Sequence, residues 1–166
     1  MNAKNFFVVA VSLALIFVVV WDAFETIVLP RRVTRRVRIT AAYYRATWRP
    51  WRDLSLMVRK KKRRDTFLSI YGPLSLVVLI ALWAFGLIFA FGMLHWAAGT
   101  SLNVPTASQG FTTDLYMSGT TFFTLGYGDV TPVDATGRFL AVVEAGMGFG
   151  VLAIVIGYLP VLYQAF

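Results

Sequence analysis

Three long apolar stretches alternate with shorter polar ones along this chain of 166 residues. The first extends from Asn5 to Leu29, the second from Leu68 to Ala98, and the third from Arg138 to Phe166. A helix needs about 20 residues to cross some 30 Å of hydrocarbon. The pattern therefore predicts three transmembrane helices, and the first is too long for a cleaved signal peptide. Pro73 is predicted to mark the first turn of the second helix.

Positive charge is concentrated in the polar linker over residues 31–65. Of the 16 Lys and Arg residues, 14 lie between Arg31 and Arg64. Short basic loops stay on the cytoplasmic side of a membrane. The net charge of +8 is therefore explained by membrane topology, and no nucleic acid is expected as a partner. The N-terminus and residues 99–137 are predicted to lie outside, with the linker and the C-terminus in the cytoplasm.

Apolar residues recur every three or four positions in the first half of the linker, which predicts an amphipathic helix on the membrane surface. They are Val33, Val37, Ala41, Tyr44 and Trp48. Pro50 is predicted to end this helix. Two basic clusters of the linker are candidate contacts for anionic lipids: Arg31, Arg35 and Arg38, and then Lys60, Lys61 and Lys62. The alternative is that they only anchor the linker on the cytoplasmic side.

The outer segment over residues 99–137 is too polar to form another span, although Asp114–Phe123 suits a short helix. Non-helical backbone at membrane depth persists only where protein or a water-filled cavity satisfies its polar groups. A re-entrant loop that lines a pore is therefore predicted.

The end of this loop carries the run Thr124-Leu125-Gly126-Tyr127-Gly128-Asp129. It resembles the signature of potassium channels, T-[VIL]-G-Y-G followed by Asp, and the resemblance continues with Pro132 and Gly137-Arg138. The alternative is an extracellular turn, because Gly and Asp are common turn residues. The resemblance implies an all-α membrane protein with a pore domain over 66–166. In that domain the outer helix covers 66–98, the pore helix 112–123, the filter 124–128 and the inner helix 138–166. The N-terminal transmembrane helix within 1–30 departs from the two-helix plan of such channels, and its role is left open.

Potassium ions are the ligand that the resemblance implies. The carbonyls of Thr124, Leu125, Gly126 and Tyr127 would replace the water shell of K⁺, and the Thr124 hydroxyl would add the innermost ring. Gly126 and Gly128 can adopt positive φ without steric cost. One chain supplies a single filter strand, so a fourfold-symmetric homotetramer is expected.

Other residues take candidate roles from their positions relative to the filter. Five are expected to support it: Gly128, Asp129, Tyr116, Thr120 and Glu144. Tyr116 stands where relatives place an aromatic donor to the aspartate, and Glu144 is expected against Thr120 or Thr121. Gly148 is a candidate gating hinge, with Gly157 and Pro160 near the lower gate. The alternatives are that Gly148 only allows close helix packing and that Gly157 and Pro160 only bend the helix.

The remaining polar residues leave several interpretations open. Asp22 and Glu25 either sense cations or protons, or pair with Arg31–Arg38 at the interface. His95 is expected to mark the outer membrane interface beside Trp96.

Functions other than a selective potassium channel are a less selective cation channel, a membrane-embedded enzyme or an accessory subunit. The enzyme would need clustered His, Cys or carboxylates, but the chain has no cysteine and one histidine. A prokaryotic plasma membrane is expected. Because the chain stops within an apolar stretch, a C-terminal regulatory domain is expected to be missing.

Overall fold

The computed structural model describes residues 3–27, 39–57, 60–104 and 109–164. Five helices and two short strands are found there: α1 Ala3–Ile27, α2 Ile39–Leu56, α3 Lys61–Ala98, β1 Leu102–Asn103, α4 Phe111–Phe122, β2 Thr131–Pro132 and α5 Ala135–Gln164. Three of the helices are long and apolar enough to span a membrane, over Ala3–Thr26, Lys61–Ala98 and Ala135–Gly157. The chain is thus an all-α, multi-pass membrane protein.

Helix α3 is longer than its apolar stretch. It begins at Lys61, before the predicted residue 66, because lysine and arginine are good helix formers and can remain hydrated at the helix end. Pro73 lies well inside the helix, so the prediction that it marks the first turn was wrong. Hydroxyls bond to backbone carbonyls on either side of it, from Ser69 to Thr66 and from Ser75 to Gly72, each at 2.8 Å.

Helix α2 also continues through a proline. Pro50 was predicted to end it, but α2 runs on to Leu56. Proline removes one backbone hydrogen bond, and tertiary contacts of the next residue favour continuation of the helix. The Trp51 ring stacks on Phe67 with centroids 4.4 Å apart, and its Nε1 donates to the Phe67 carbonyl over 3.2 Å.

The described residues divide into two compact units, one comprising Val19–Trp83 and the other Met1–Val18 with Ala84–Phe166. In the Val19–Trp83 unit, the buried carboxylate of Asp22 accepts three hydrogen bonds. They come from the Thr40 amide at 3.2 Å, the Thr40 hydroxyl at 2.6 Å and Trp83 Nε1 at 3.0 Å. The Thr40 amide lies in the first turn of α2, where no intrahelical partner exists. Asp22 therefore joins α1, α2 and α3.

These contacts were part of neither interpretation of the acidic pair, and both interpretations stay predictions. Glu25 accepts a hydrogen bond from Trp21 Nε1 at 2.7 Å, and Asp22 is held by Thr40 and Trp83 rather than exposed to ions. Arg31–Arg38 lie outside the described residues, so pairing with them stays a prediction.

In the other unit, α4 packs against α5. Strand β1 follows α3 and pairs antiparallel with β2, which precedes α5. Leu102 pairs with Pro132 and Asn103 with Thr131. Helix α3 also approaches α4 closely, since a Cβ added at Gly92 would lie 3.0 Å from Leu115 Cα. This packing fixes the segment that follows α4.

Candidate functional site

The segment Thr124–Gly128 leaves the C-terminal end of α4, and its amides turn back towards that helix. The amide of Thr124 donates to the Thr121 carbonyl over 3.0 Å, and that of Leu125 to the Thr120 carbonyl over 2.8 Å. A longer bond of 3.4 Å joins the Gly126 amide to the same Thr120 carbonyl. The last carbonyls of a helix have no intrahelical partner. Thr120 thus supports the segment through its backbone.

Backbone handedness alternates along the segment. Thr124, Gly126 and Gly128 have φ of 55°, 57° and 77°, whereas Leu125 and Tyr127 between them do not have positive φ. Glycine adopts positive φ readily. A β-branched residue such as threonine rarely does, and holding it there costs about 1–3 kcal/mol. Thr124 is the only described residue other than glycine with this conformation.

The alternation orders the peptide groups. Where φ changes sign from residue to residue, successive amides gather on one side of the chain, which leaves carbonyl oxygens for the other. Within the described residues, the carbonyls of Thr124 to Tyr127 accept no hydrogen bond. Such a row of oxygens can act as ligands for a cation of low charge density.

Tyr116 and Asp129 meet just beyond the C-terminal end of this segment. Tyr116 Oη donates to Asp129 Oδ2 over 2.8 Å, which ties α4 to the residue after Gly128. This is the contact that the resemblance implied for these two positions. The bond also raises the pKa of the Tyr116 hydroxyl, because ionisation would remove the donated proton beside a carboxylate.

Glu144 is fully buried on α5 and faces α4. Its Oε1 accepts a hydrogen bond from the Ser118 hydroxyl, which lies 2.8 Å from the Ile88 carbonyl. Glu144 was expected against Thr120 or Thr121, and its hydrogen-bond partner in the structure is Ser118. On a helix, Thr121 lies one turn after Ser118 on the same face, whereas Thr120 points to a different side. A contact of Glu144 with Thr120 or Thr121 stays a prediction.

His95 belongs to the same buried cluster. It was expected at the membrane interface, but it is fully buried, whereas its neighbour Trp96 is 42% exposed. His95 Nδ1 lies 3.1 Å from the Thr100 hydroxyl, and Nε2 lies 3.8 Å from Glu144 Oε2. Sequence reasoning missed Ser118 and His95 as neighbours of Glu144, and Thr100 as the partner of His95. The available signal was three polar residues in otherwise apolar surroundings.

We expect Ser118 and Glu144 to be energetically coupled. Ser118→Ala should lower stability by about 1–3 kcal/mol, because it leaves a buried carboxyl group without its donor. Glu144→Leu should also destabilise the protein. In the double variant the second change should cost less, since no orphaned carboxyl group remains. Thermal unfolding of all four proteins in detergent measures this coupling, and strictly additive losses would contradict it.

Asp134 holds the start of α5 beside the two strands. Its Oδ1 accepts from the Ser101 amide at 2.8 Å and its Oδ2 from the Gly137 amide at 3.1 Å. Both bonds lower the pKa of the Asp134 carboxyl below its ordinary value of 3.8, and the bond from Gly137 has the largest effect. Gly137 is tightly placed as well, since an added Cβ would lie 2.9 Å from Pro132 Cβ.

The lowered pKa of Asp134 predicts a pH-dependent contribution to stability. A carboxyl group with a lowered folded-state pKa stabilises the protein above its ordinary pKa and loses this effect as pH falls through the lowered value. Asp134→Ala should therefore reduce the unfolding temperature at neutral pH. The difference from the unsubstituted protein should shrink as the pH falls below the ordinary pKa of 3.8 and through the lowered one, and a difference that is constant with pH would contradict this role.

Gly148 approaches the C-terminal end of α4 more closely than any side chain would allow. A Cβ added there would lie 1.9 Å from the Phe122 carbonyl oxygen. A Cβ added at Gly157 would meet no atom within 4 Å. Gly148 is thus a close-packing position, and its role as a hinge stays a prediction. The side chain of Pro160 lies outside the described part of the chain.

Only one of the two candidate lipid-binding clusters lies within the described residues. Lys60, Lys61 and Lys62 are exposed at the start of α3. Arg31, Arg35 and Arg38 lie outside the described residues, so their contacts stay predictions.

Comparisons with known proteins point to one family. A family model described as ion channel matches residues 74–164, which is more than half of the chain. The chain is 42% identical to Protein LctB of Geobacillus stearothermophilus over 60 residues, 36% of this chain and 40% of that protein. It is 45% identical to Protein LctB of Bacillus caldotenax over 42 residues, 25% and 31% of the two chains. The match thus spans less than half of each relative, and no solved structure matches.

Proposed function

Because the chain belongs to the ion channel family, and is therefore a channel protein and not an enzyme, we propose that it forms a potassium-selective pore. In this proposal K⁺ moves passively through a homotetramer, and each chain contributes the filter Thr124–Gly128. The ligands are the carbonyls of residues 124–127 with the Thr124 hydroxyl. One observation carries the proposal, the alternation of positive φ through Thr124, Gly126 and Gly128. Strain at a β-branched residue is retained where function requires that backbone.

The exposed surface around the filter supports assembly of several copies. In the single chain, Phe123, Leu125 and Tyr127 are 51%, 52% and 67% exposed. Contiguous apolar surface of this kind marks a contact site. A ring of filter strands around one axis would cover it and would bring four rows of carbonyls together. In this arrangement α4 is the re-entrant pore helix, α3 the outer helix and α5 the inner helix.

The orientation follows from the basic linker. Lysines and arginines near the ends of spans hold a loop in the cytoplasm, so α2 and the C-terminus are proposed to lie inside and the N-terminus outside. Both relatives come from bacteria, which supports a prokaryotic plasma membrane.

The proposed assembly can be tested on the purified protein by measuring its mass in detergent and its ion flux in vesicles. We expect the mass of four chains and an uptake of potassium that greatly exceeds that of sodium. Equal uptake of both ions would instead support the less selective cation channel. A monomer without flux would support the accessory subunit.

A further inference from the structure

A groove on the Val19–Trp83 unit combines two arginines with three aromatic rings. Its volume is about 370 Å³, and it is lined by Tyr44, Arg45, Trp48 and Arg49 of α2 and by Tyr71 of α3. Arg45 and Arg49 are four residues apart, which places them on one side of the helix with about 6 Å between their Cβ atoms. Tyr44 and Trp48 have the same spacing one position earlier. The groove therefore has a cationic edge beside an aromatic floor.

The aromatic floor is held by direct contacts. The Tyr71 ring meets the Trp48 ring edge-on with centroids 4.9 Å apart, and it meets Tyr44 at 6.4 Å. Its hydroxyl lies 2.8 Å from the Thr47 hydroxyl. Because these contacts join α2 to α3, the groove has its shape before any ligand arrives. A preformed site loses less entropy on binding.

The arginines are available for an anion. Asp53 is the only acidic residue of α2, and it pairs with Arg52 at 3.1 Å. Among the described residues, neither Arg45 nor Arg49 pairs with a carboxylate. Arg45 Nε donates to the Ala41 carbonyl over 3.2 Å, which leaves the two terminal nitrogens of its guanidinium group for a ligand. Guanidinium groups bind phosphate oxygens in a bidentate manner.

The position of the groove along α3 distinguishes a lipid from a soluble anion. Tyr71 follows Asp65, the last charged residue before the apolar part of α3, by six positions. At 1.5 Å per residue this is about 9 Å along the helix, the depth at which aromatic rings and lipid headgroups meet. The exposed side chains of Lys60–Arg63 lie on the more polar side. A phospholipid bound here would place its phosphate group at one edge of the groove and its acyl chains at the other.

We propose that this groove binds the phosphate group of an anionic phospholipid, with Arg45 and Arg49 on the phosphate and Trp48 and Tyr71 against the glycerol and upper acyl chains. A zwitterionic lipid binds less well because its own ammonium group opposes the arginines. The site differs from the basic clusters at Arg31–Arg38 and Lys60–Lys62. The proposal does not rest on ion selectivity and would hold for a pore of any selectivity.

The test is a titration of the detergent-purified full chain with phosphatidylglycerol, read as a rise in unfolding temperature. We expect saturable stabilisation by phosphatidylglycerol and much less by phosphatidylcholine. In Arg45→Gln/Arg49→Gln the half-saturating concentration should rise about tenfold or more, since charge-assisted bonds to phosphate are lost. Arg63→Gln/Arg64→Gln makes the same chemical change in α3 outside the groove and should change it less than about threefold.

Another pair of variants and a comparison with inorganic phosphate test the proposal further. If the glutamine variant does not fold, Arg45→Lys/Arg49→Lys retains both charges and should still weaken binding, because lysine lacks the planar fork. Equal weakening in the Arg45/Arg49 variant and in the Arg63/Arg64 variant would show attraction to general basic charge and overturn the proposal. Stabilisation by inorganic phosphate equal to that by phosphatidylglycerol would show a soluble ligand and would also overturn it.

Discussion

Gly126→Ala is expected to abolish selective potassium conduction. Gly126 has a φ of 57°, a conformation that costs an L-residue with a Cβ about 1–2 kcal/mol. In a tetramer the cost arises four times around one axis, about 4–8 kcal/mol in total. Relief of this strain would rotate the neighbouring peptide groups and turn ligand carbonyls away from the ion. Single-channel recording of the reconstituted variant should show no potassium-selective current.

Gly72→Ala provides the matched control. Gly72 lies within α3, and a Cβ added there meets no atom within 4 Å. The same chemical change should therefore leave conduction intact and slightly favour the helix. Selective currents of ordinary size from Gly126→Ala would contradict the filter assignment.

Gly148→Ala is expected to destabilise the fold and reduce current together. The added Cβ would lie 1.9 Å from the Phe122 carbonyl oxygen and 2.8 Å from its carbonyl carbon. Both atoms are backbone, so α5 must move away from the end of α4, immediately before the filter segment. Overpacking of this kind costs about 3 kcal/mol. The unfolding temperature in detergent should fall by several degrees.

Gly150→Ala separates packing from other effects of glycine in α5. A Cβ at Gly150 meets no atom within 4 Å of the chain, so we expect little change in unfolding temperature. The comparison also tests the hinge hypothesis. A residue that acts only as a hinge would alter open probability without altering stability, whereas unchanged stability in Gly148→Ala would contradict the close-packing role.

The short helix α4 and the positive φ of Gly126 and Gly128 could be predicted from the sequence because their determinants are local, whereas the filter assignment stays a proposal. Glycine at every second position, a preceding short helix and a following aspartate all fall within residues 111–129. The contact of Tyr116 with Asp129 was implied by the resemblance to potassium channels. The three spans could be predicted because apolar length alone determines them.

The contacts of Glu144 and Asp22 could not be predicted, because they depend on how one helix is rotated against another. Ser118, and not Thr120, is the hydrogen-bond partner of Glu144. Gly148 lets α5 approach Phe122 closely, and this approach sets the rotation of α5 against α4. Asp22 meets Thr40 and Trp83, which are far apart in the sequence. The prediction that Pro50 ends α2 was wrong for a similar reason. Trp51 stacks on Phe67, which lies outside the linker, so the linker sequence does not indicate this contact.

The reversal potential tests potassium selectivity most directly. The purified protein is reconstituted into a planar bilayer with potassium on one side and sodium on the other at equal concentration. The account predicts a reversal potential displaced strongly in the direction of potassium permeation, with the current lost in Gly126→Ala and retained in Gly72→Ala. A reversal potential near zero with a sizeable current would contradict potassium selectivity.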